Sequence, residues 1–279
     1  MKFRTLLSLL VFVAAAYSGT LQAKVLVLVH GWSANADTWV YSGVLQTLVQ
    51  SGWSDAGVVT TTPAGIHYLA APGQRGANMV YRVNLPAEAP LLIQAAHLAA
   101  ELQFIQQRHV AEPVAIVGHS AGGVVSRLVL TGPHAPQIST LITIASPHLG
   151  TTRAIQGLQA VDSKPLFCPG PGMDFLKSVL GGDSYAYLRD SRGALIDLAP
   201  VAPGSLLGWL NQQPHPDIAY HAVVRTGPGF PGDDMVPAFS QDLNQVPALH
   251  GRAHVHATAA GHGLGPADGK LIADILAVD

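Results

Sequence analysis

The chain has 279 residues, 48% of them hydrophobic and 11% charged, with a formal net charge of −2. That length and apolar content suffice for a large buried core and exclude a disordered chain, which needs many charges and few large apolar residues. The weak negative balance leaves no basic footprint for nucleic acid, and no block of like charge marks an electrostatic partner.

Residues 1–23, MKFRTLLSLLVFVAAAYSGTLQA, have the form of an export signal. Lys2 and Arg4 supply the charged start, Leu6 to Ala16 the apolar stretch, and Leu21-Gln22-Ala23 a cleavage site. The apolar stretch spans about 11 residues, short of the roughly 20 a membrane-spanning helix needs, so cleavage is expected rather than an uncleaved anchor. The expected mature domain is 24–279, periplasmic or secreted. Cys168 stands alone, so no intramolecular disulfide can form.

Lys24 to Val29 is a β-branched apolar run, the pattern of a strand buried on both faces. Thr38 to Val49 has helical spacing, with Asp37 placed as an N-cap. Gly57 to Thr61 reads as a second strand and 62–87 as Gly/Pro-rich loop. Ala89 to His109 forms a long helix with Leu91, Leu92, Ala95, Leu98, Leu102 and Ile105 on one side. Pro113 to Val117 is strand, Ala121 to Leu130 helix, and Ile138 to Ala145 strand. This alternation implies an α/β fold with a mostly parallel, doubly wound sheet. From 150 to 217 the rhythm breaks. That stretch is too long for a plain connection and, with DFLKSVL and GSLLGWL, too apolar for a linker, so it reads as an inserted cap. The sheet resumes at Ile218 to Val224 and Arg252 to Ala257, and a closing helix runs from Ala267 to Ala277.

The stretch AIVGHSAGG at 115–123 sets Ser120 between a strand pattern and a helix pattern. G-x-S-x-G is a weak signal alone in a glycine-rich chain, where an inconsequential Ser/Gly turn also fits. The strand-to-helix context strengthens it, because a sharp bend there lifts the hydroxyl clear of the sheet. The helix start also offers unpaired backbone N–H groups and a partial positive charge beside that hydroxyl.

Four motifs carry a family resemblance: VLVHGW at 27–32, GHSAGG at 118–123, TIASPHLGT at 143–151, and GDDMVP at 232–237 followed by AGHG at 260–263. With them the chain resembles an α/β-hydrolase of the secreted bacterial lipase/esterase type, over nearly the whole mature chain in element order. The third motif and DLAPVAPGSLLGWLN at 197–211 are similar to segments of bacterial lipases and of the inositol-deacylase group. The resemblance places the cap between the sixth and seventh strands of the fold. It also implies a chain order of nucleophile, acid and histidine.

On that order Ser120 is the nucleophile. Asp233 is the acid, since Met235, Val236 and Pro237 then fall in register, and Asp234 is the alternative one residue on. Among thirteen histidines, His262 fits the base, because it follows the last strand between glycines. His256 and His254 alternate along that strand, and His250 precedes it. The resemblance makes the backbone amides of Trp32 and Ala121 the oxyanion donors and gives His30 and Gly31 the task of shaping their loop. His119 and His148 read as structural. A metal held by His250, His254, His256 and His262 is the competing reading, without the spacing of a known zinc motif.

The expected activity is cleavage of carboxylic esters through an acyl-enzyme, with no cofactor or metal and with lipid-like acyl groups in a covered apolar pocket. The cap is the expected point of transient contact with a lipid surface. A thioesterase or amidase on the same residues, or a non-catalytic relative that only binds, are the alternatives.

Overall fold

The computed structural model describes residues 25–73, 76–110, 112–133, 137–162, 184–227 and 231–278. The export segment 1–23, Lys24, Cys168 and the apolar stretch 174–180 lie outside the described residues.

The described elements are, in chain order, β1 (Val25–Val29), α1 (Thr38–Tyr41), α2 (Val44–Gln50), β2 (Ser54–Thr62), β3 (Gly65–Ala70), β4 (Met79–Val83), α3 (Leu91–Arg108), β5 (Val114–His119), α4 (Ala121–Leu130) and β6 (Ile138–Ile144). They continue with α5 (Thr152–Asp162), α6 (Ser184–Asp190), α7 (Arg192–Asp197), α8 (Leu206–Leu210), β7 (Ala219–Arg225), α9 (Ala238–Gln241), β8 (Ala253–Thr258) and α10 (Pro266–Val278). The strands form one sheet in the order β3-β2-β4-β1-β5-β6-β7-β8, parallel throughout except for the β2–β3 pair.

β1 lies between β4 and β5, and all five of its residues are buried. Val25, Val27 and Val29 join the apolar cluster under α3 and α4, while Leu26 and Leu28 face Trp39, Leu48 and Ile272 on the other side. A strand covered on both faces has no polar side, which is why its sequence is a continuous apolar run.

Four expectations need correction. The stretch 62–87 is not only loop, for it contains β3 and β4. β4 carries Arg82 next to its last residue, and this side chain is tolerated because it pairs with Asp37 and Asp55 at 3.3 and 3.2 Å. The single helix expected over 38–49 is two, broken at Gly43, whose φ of 78° is left-handed. Asp37 makes no side-chain cap bond, its carboxylate being engaged by Arg82. In α3, Leu91, Ala95, Leu98, Leu102 and Ile105 are buried, but Leu92 is 56% exposed.

The break in rhythm after β6 corresponds to α5 through α8, inserted between β6 and β7. Leu188, Leu195, Leu198 and Leu207 of this insertion share the cluster beneath α3 and α4. No helix among the described residues is long and apolar enough to cross a membrane.

Candidate active site

β5 ends at His119 and α4 begins at Ala121, leaving Ser120 at the bend with φ 51° and ψ −126°. Such a conformation costs a non-glycine residue on the order of 1–3 kcal/mol and persists only where the surroundings enforce it. Here the Ser120 N–H donates to the Ile144 carbonyl at 2.8 Å. Gly122 runs so close to β1 that a Cβ would stand 2.4 Å from the His30 carbonyl oxygen. Ser33 and Ala145, the other positive-φ non-glycine residues described, lie in the neighbouring turns.

His262 sits between β8 and α10. Its Nε2 is 3.0 Å from Ser120 Oγ and its Nδ1 is 3.0 Å from Asp233 Oδ2. An ionised carboxylate only accepts, so the imidazole proton resides on Nδ1 and Nε2 is left to take the hydroxyl proton. The Asp233 side chain is fully buried. Its Oδ1 accepts from the N–H groups of Met235 and Val236 at 2.8 and 2.7 Å, and its Oδ2 also accepts from Gln241 Nε2 at 3.1 Å. Burial pushes this carboxyl up, but His262 and the two amides outweigh it and hold the group below the usual carboxylate range. Asp234 is exposed, and its backbone carbonyl accepts from Arg153 Nε at 2.7 Å. Of the two candidate acids, only Asp233 meets the imidazole.

The direction of the Trp32 N–H depends on His30. Leu85 N–H donates to His30 Nε2 at 3.0 Å, so the ring proton is on Nδ1, which donates to the Gly31 carbonyl at 2.9 Å. A trans peptide points its N–H opposite its C=O, so pinning the Gly31 carbonyl also fixes where the Trp32 N–H is directed. Gly31 abuts Ser120, since a Cβ there would lie 2.8 Å from Ser120 Cβ. Ala121 opens α4, where helix geometry gives its N–H no intrahelical acceptor.

Several supports carried no clear sequence signal. Gln241, fully buried, donates to Asp233 and accepts the Arg225 N–H at 2.8 Å. Arg225 grips Asp268 through both guanidinium ends at 2.8 and 3.0 Å and donates to the Gly263 carbonyl beside His262 at 3.3 Å. His119 does not reach the hydroxyl; its Nε2 donates to the His262 carbonyl at 2.8 Å. Burial first, and the adjacent His262 second, push the His119 imidazole down to about 3.

The remaining histidines stand apart from this centre. His148 is buried against Thr143 and Arg127. His221 contacts His256 at 3.1 Å and stacks on His254, while His250 meets the Asn244 carbonyl. Among the described residues, no group of three His, Cys, Asp or Glu side chains could hold a metal ion.

The cavity at Ser120 and His262 is apolar, lined by Trp32, Pro147, Ala154, Leu195, Leu198 and Val236, but measures only about 40 Å³. A larger groove of about 1080 Å³ around Leu206, Trp209 and Pro247 does not touch Ser120, Asp233 or His262. The groove's size is therefore no guide to where the chemistry lies.

Comparison with known proteins bears on the fold. A family model described as a PGAP1-like alpha/beta domain matches residues 85–160. A GPI inositol-deacylase of Debaryomyces hansenii is 38% identical over 74 residues, which are 24% of this chain and 7% of that protein. This chain thus corresponds to a small fraction of that relative's length. A lipase-esterase related protein from Clostridium acetobutylicum superposes with a TM-score of 0.57 at 12% identity, covering 92% of this chain and 95% of the other. The mature form of lipase BlEst2 from Bacillus licheniformis gives 0.54 at 14% identity, covering 92% and 91%. Likeness at such identities is one of architecture, and the architecture is the α/β-hydrolase fold.

Proposed function

We propose that this protein is a serine hydrolase that cleaves carboxylic esters through an acyl-enzyme. The observation that carries the reading is the unbroken pair of 3.0 Å contacts from Asp233 through His262 to Ser120. His262 Nε2 takes the Ser120 proton as Oγ attacks the acyl carbon. The oxyanion is received by the Trp32 and Ala121 amides, each worth about 3–4 kcal/mol of barrier. His262 then returns the proton to the leaving alcohol, and water activated by the same imidazole releases the acid. No step calls for a cofactor. The deacylase and lipases this chain is similar to support the same reading, and thioesters or amides would follow the same route.

The test is labelling by a fluorophosphonate. The wild-type chain should be labelled and the Ser120→Ala chain should not; an inert wild type would instead favour a binding protein.

The 40 Å³ cavity narrows the acyl group. So narrow an apolar space favours short acyl groups over long ones. Acetyl to butyryl esters fit it, whereas a lipid-like chain needs the wall of Ala154, Leu195 and Leu198 to move. Across a p-nitrophenyl ester series, kcat/KM should peak at or below butyrate. A maximum at eight carbons or more would restore the lipid-like acyl group and the lipid contact of the cap.

Export belongs to this reading as well. It rests on the residues of 1–23 alone and is checked by the N-terminal sequence of the protein recovered outside the cytoplasm.

A further inference from the structure

We propose that Tyr187, supplied by the insertion between β6 and β7, is a positioning residue for the oxyanion site: its hydroxyl fixes the Trp32–Ser33 peptide and its ring holds the Trp32 indole. The proposal rests on the ester-hydrolase reading and adds to it a residue of α6 on which the Trp32 donor depends.

The direction of a backbone N–H is steady only when the peptide planes on both sides of its residue are held, because each plane moves as a unit. On one side of Trp32, His30 holds the Gly31 carbonyl. On the other, the Ser33 N–H donates to the Tyr187 hydroxyl at 3.0 Å. Among the described residues this is the one hydrogen bond made by the backbone of residues 32–34. Ser33 needs such a hold. Its φ of 57° lies in the left-handed region, which a non-glycine residue keeps only where its surroundings enforce it. Without the hydroxyl, Ser33 can leave that region by rotation of the Trp32–Ser33 peptide, and the slack passes to Trp32 and its N–H.

The Trp32 side chain depends on the same residue. Its Nε1 is buried with no hydrogen-bond partner among the described residues, so no polar contact orients the indole. Packing does, and the Tyr187 ring stands 5.7 Å away at a tilt of 51°, within the range where tilted aromatic pairs attract. α6 is itself anchored. Leu188 is buried in the core cluster, a Cβ on Gly157 of α5 would lie 3.7 Å from its side chain, and the Ser191 N–H donates to the Tyr187 carbonyl at 2.8 Å. Burial pushes the Tyr187 phenol up, so the hydroxyl stays uncharged and its bond to Ser33 does not change over neutral pH. The insertion is therefore part of the catalytic apparatus, and not only a cover over it.

The experiment compares the full wild-type chain with Tyr187→Phe, which removes the hydroxyl and keeps the ring, and Tyr187→Leu, which removes both. Three quantities are measured: kcat and KM on p-nitrophenyl butyrate, inhibition by propyl trifluoromethyl ketone, and the midpoint of urea unfolding. The ketone reports on the oxyanion site directly. Ser120 Oγ adds to its carbonyl carbon, the hydroxyl proton passes to His262 Nε2, and the carbonyl oxygen becomes an oxyanion. Tyr187→Phe should lower kcat about tenfold, a part of what losing the whole donor costs, and weaken the ketone by a matching factor. Acylation and deacylation pass through the same oxyanion, so KM should stay within about twofold. The urea midpoint should hold, and Tyr187→Leu should lose more than Tyr187→Phe in both kcat and ketone affinity. Unchanged kcat in Tyr187→Phe, a kcat loss without the matching loss of ketone affinity, or losses that follow the urea midpoint overturn the positioning role and leave the hydrolase reading intact. A wild-type chain that neither hydrolyses the ester nor takes the fluorophosphonate label overturns the hydrolase reading, and the role of Tyr187 with it.

Discussion

Asp233 and Asp234 stand side by side in one turn and meet opposite surroundings. Four hydrogen bonds converge on the Asp233 carboxylate, from Met235, Val236, Gln241 and His262, whereas Asp234 faces solvent. Asp233→Asn keeps the shape but removes the charge that holds the His262 proton on Nδ1 and steadies the imidazolium, so kcat should fall by roughly 10³–10⁴. Asp234→Asn should leave kcat within about twofold. Initial rates on p-nitrophenyl butyrate at pH 7 check both, and equal losses would mean that the acid is misassigned. In the sequence these neighbours differ only by the register of Met235-Val236-Pro237, which one inserted residue would shift. His262 was easier to read, because glycines flank it and it follows the last strand. Gln241 was not legible: a buried amide eight residues after the acid matches no pattern, and only its two bonds reveal its task.

At the scale of elements, Asp233 and His262 are held by loops that β7 ties together. Arg225 ends β7, binds Asp268 in the first turn of α10, and reaches the Thr258 hydroxyl and the Gly263 carbonyl on either side of the base. The Arg225 and Asp268 side chains are almost completely buried. Removing one partner of such a pair leaves an uncompensated charge and costs about 3–5 kcal/mol. Asp268→Asn should therefore lower stability by that order and loosen the His262 loop. The catalytic signature is a drop in kcat with little change in KM, since the cavity linings contain neither residue. Steady-state kinetics beside urea unfolding would separate the two effects. An unchanged kcat in a destabilised chain would reduce the pair to scaffold. The continuous apolar runs of this framework, β1 and residues 114–117 of β5, were legible from sequence, because burial on both faces leaves no polar position. β3 and β4 were not. β3 is an edge strand with mostly exposed residues, and β4 hides a cation whose partners come from distant parts of the chain.

The whole molecule should respond to pH through histidines that it buries without charge. His119 is pushed down to about 3 and His215 to about 4, in both cases chiefly by burial. His148 is pushed well below its ordinary value by burial and then by Arg127, itself fully buried among His148, His215 and Asn211. A base with its folded pKa below its unfolded value near 6.5 binds fewer protons when folded, so stability falls as pH drops below about 6.5. Glu101 acts in the opposite direction. Burial raises it to about 8, with the Thr61 bonds opposing, so the folded chain keeps a proton that the unfolded chain loses above about 4.3. Its contribution is present at low pH and is lost as pH rises toward 8. Among these four groups, three histidine protons against one carboxyl proton give a net slope of up to about 3 kcal/mol per pH unit on the acid side. Above pH 6.5 Glu101 alone remains, with a decline of about 1.4 kcal/mol per unit. Urea unfolding from pH 4.5 to 8.5 should trace a dome with its maximum between pH 6 and 7. Glu101→Gln preserves the acceptor for Thr61 and removes the titration, so its alkaline limb should flatten while the acid limb stays. A wild-type curve level between pH 4.5 and 6.5 would mean that the buried imidazoles admit protons or solvent, and that the packing around Arg127 is looser than these contacts describe.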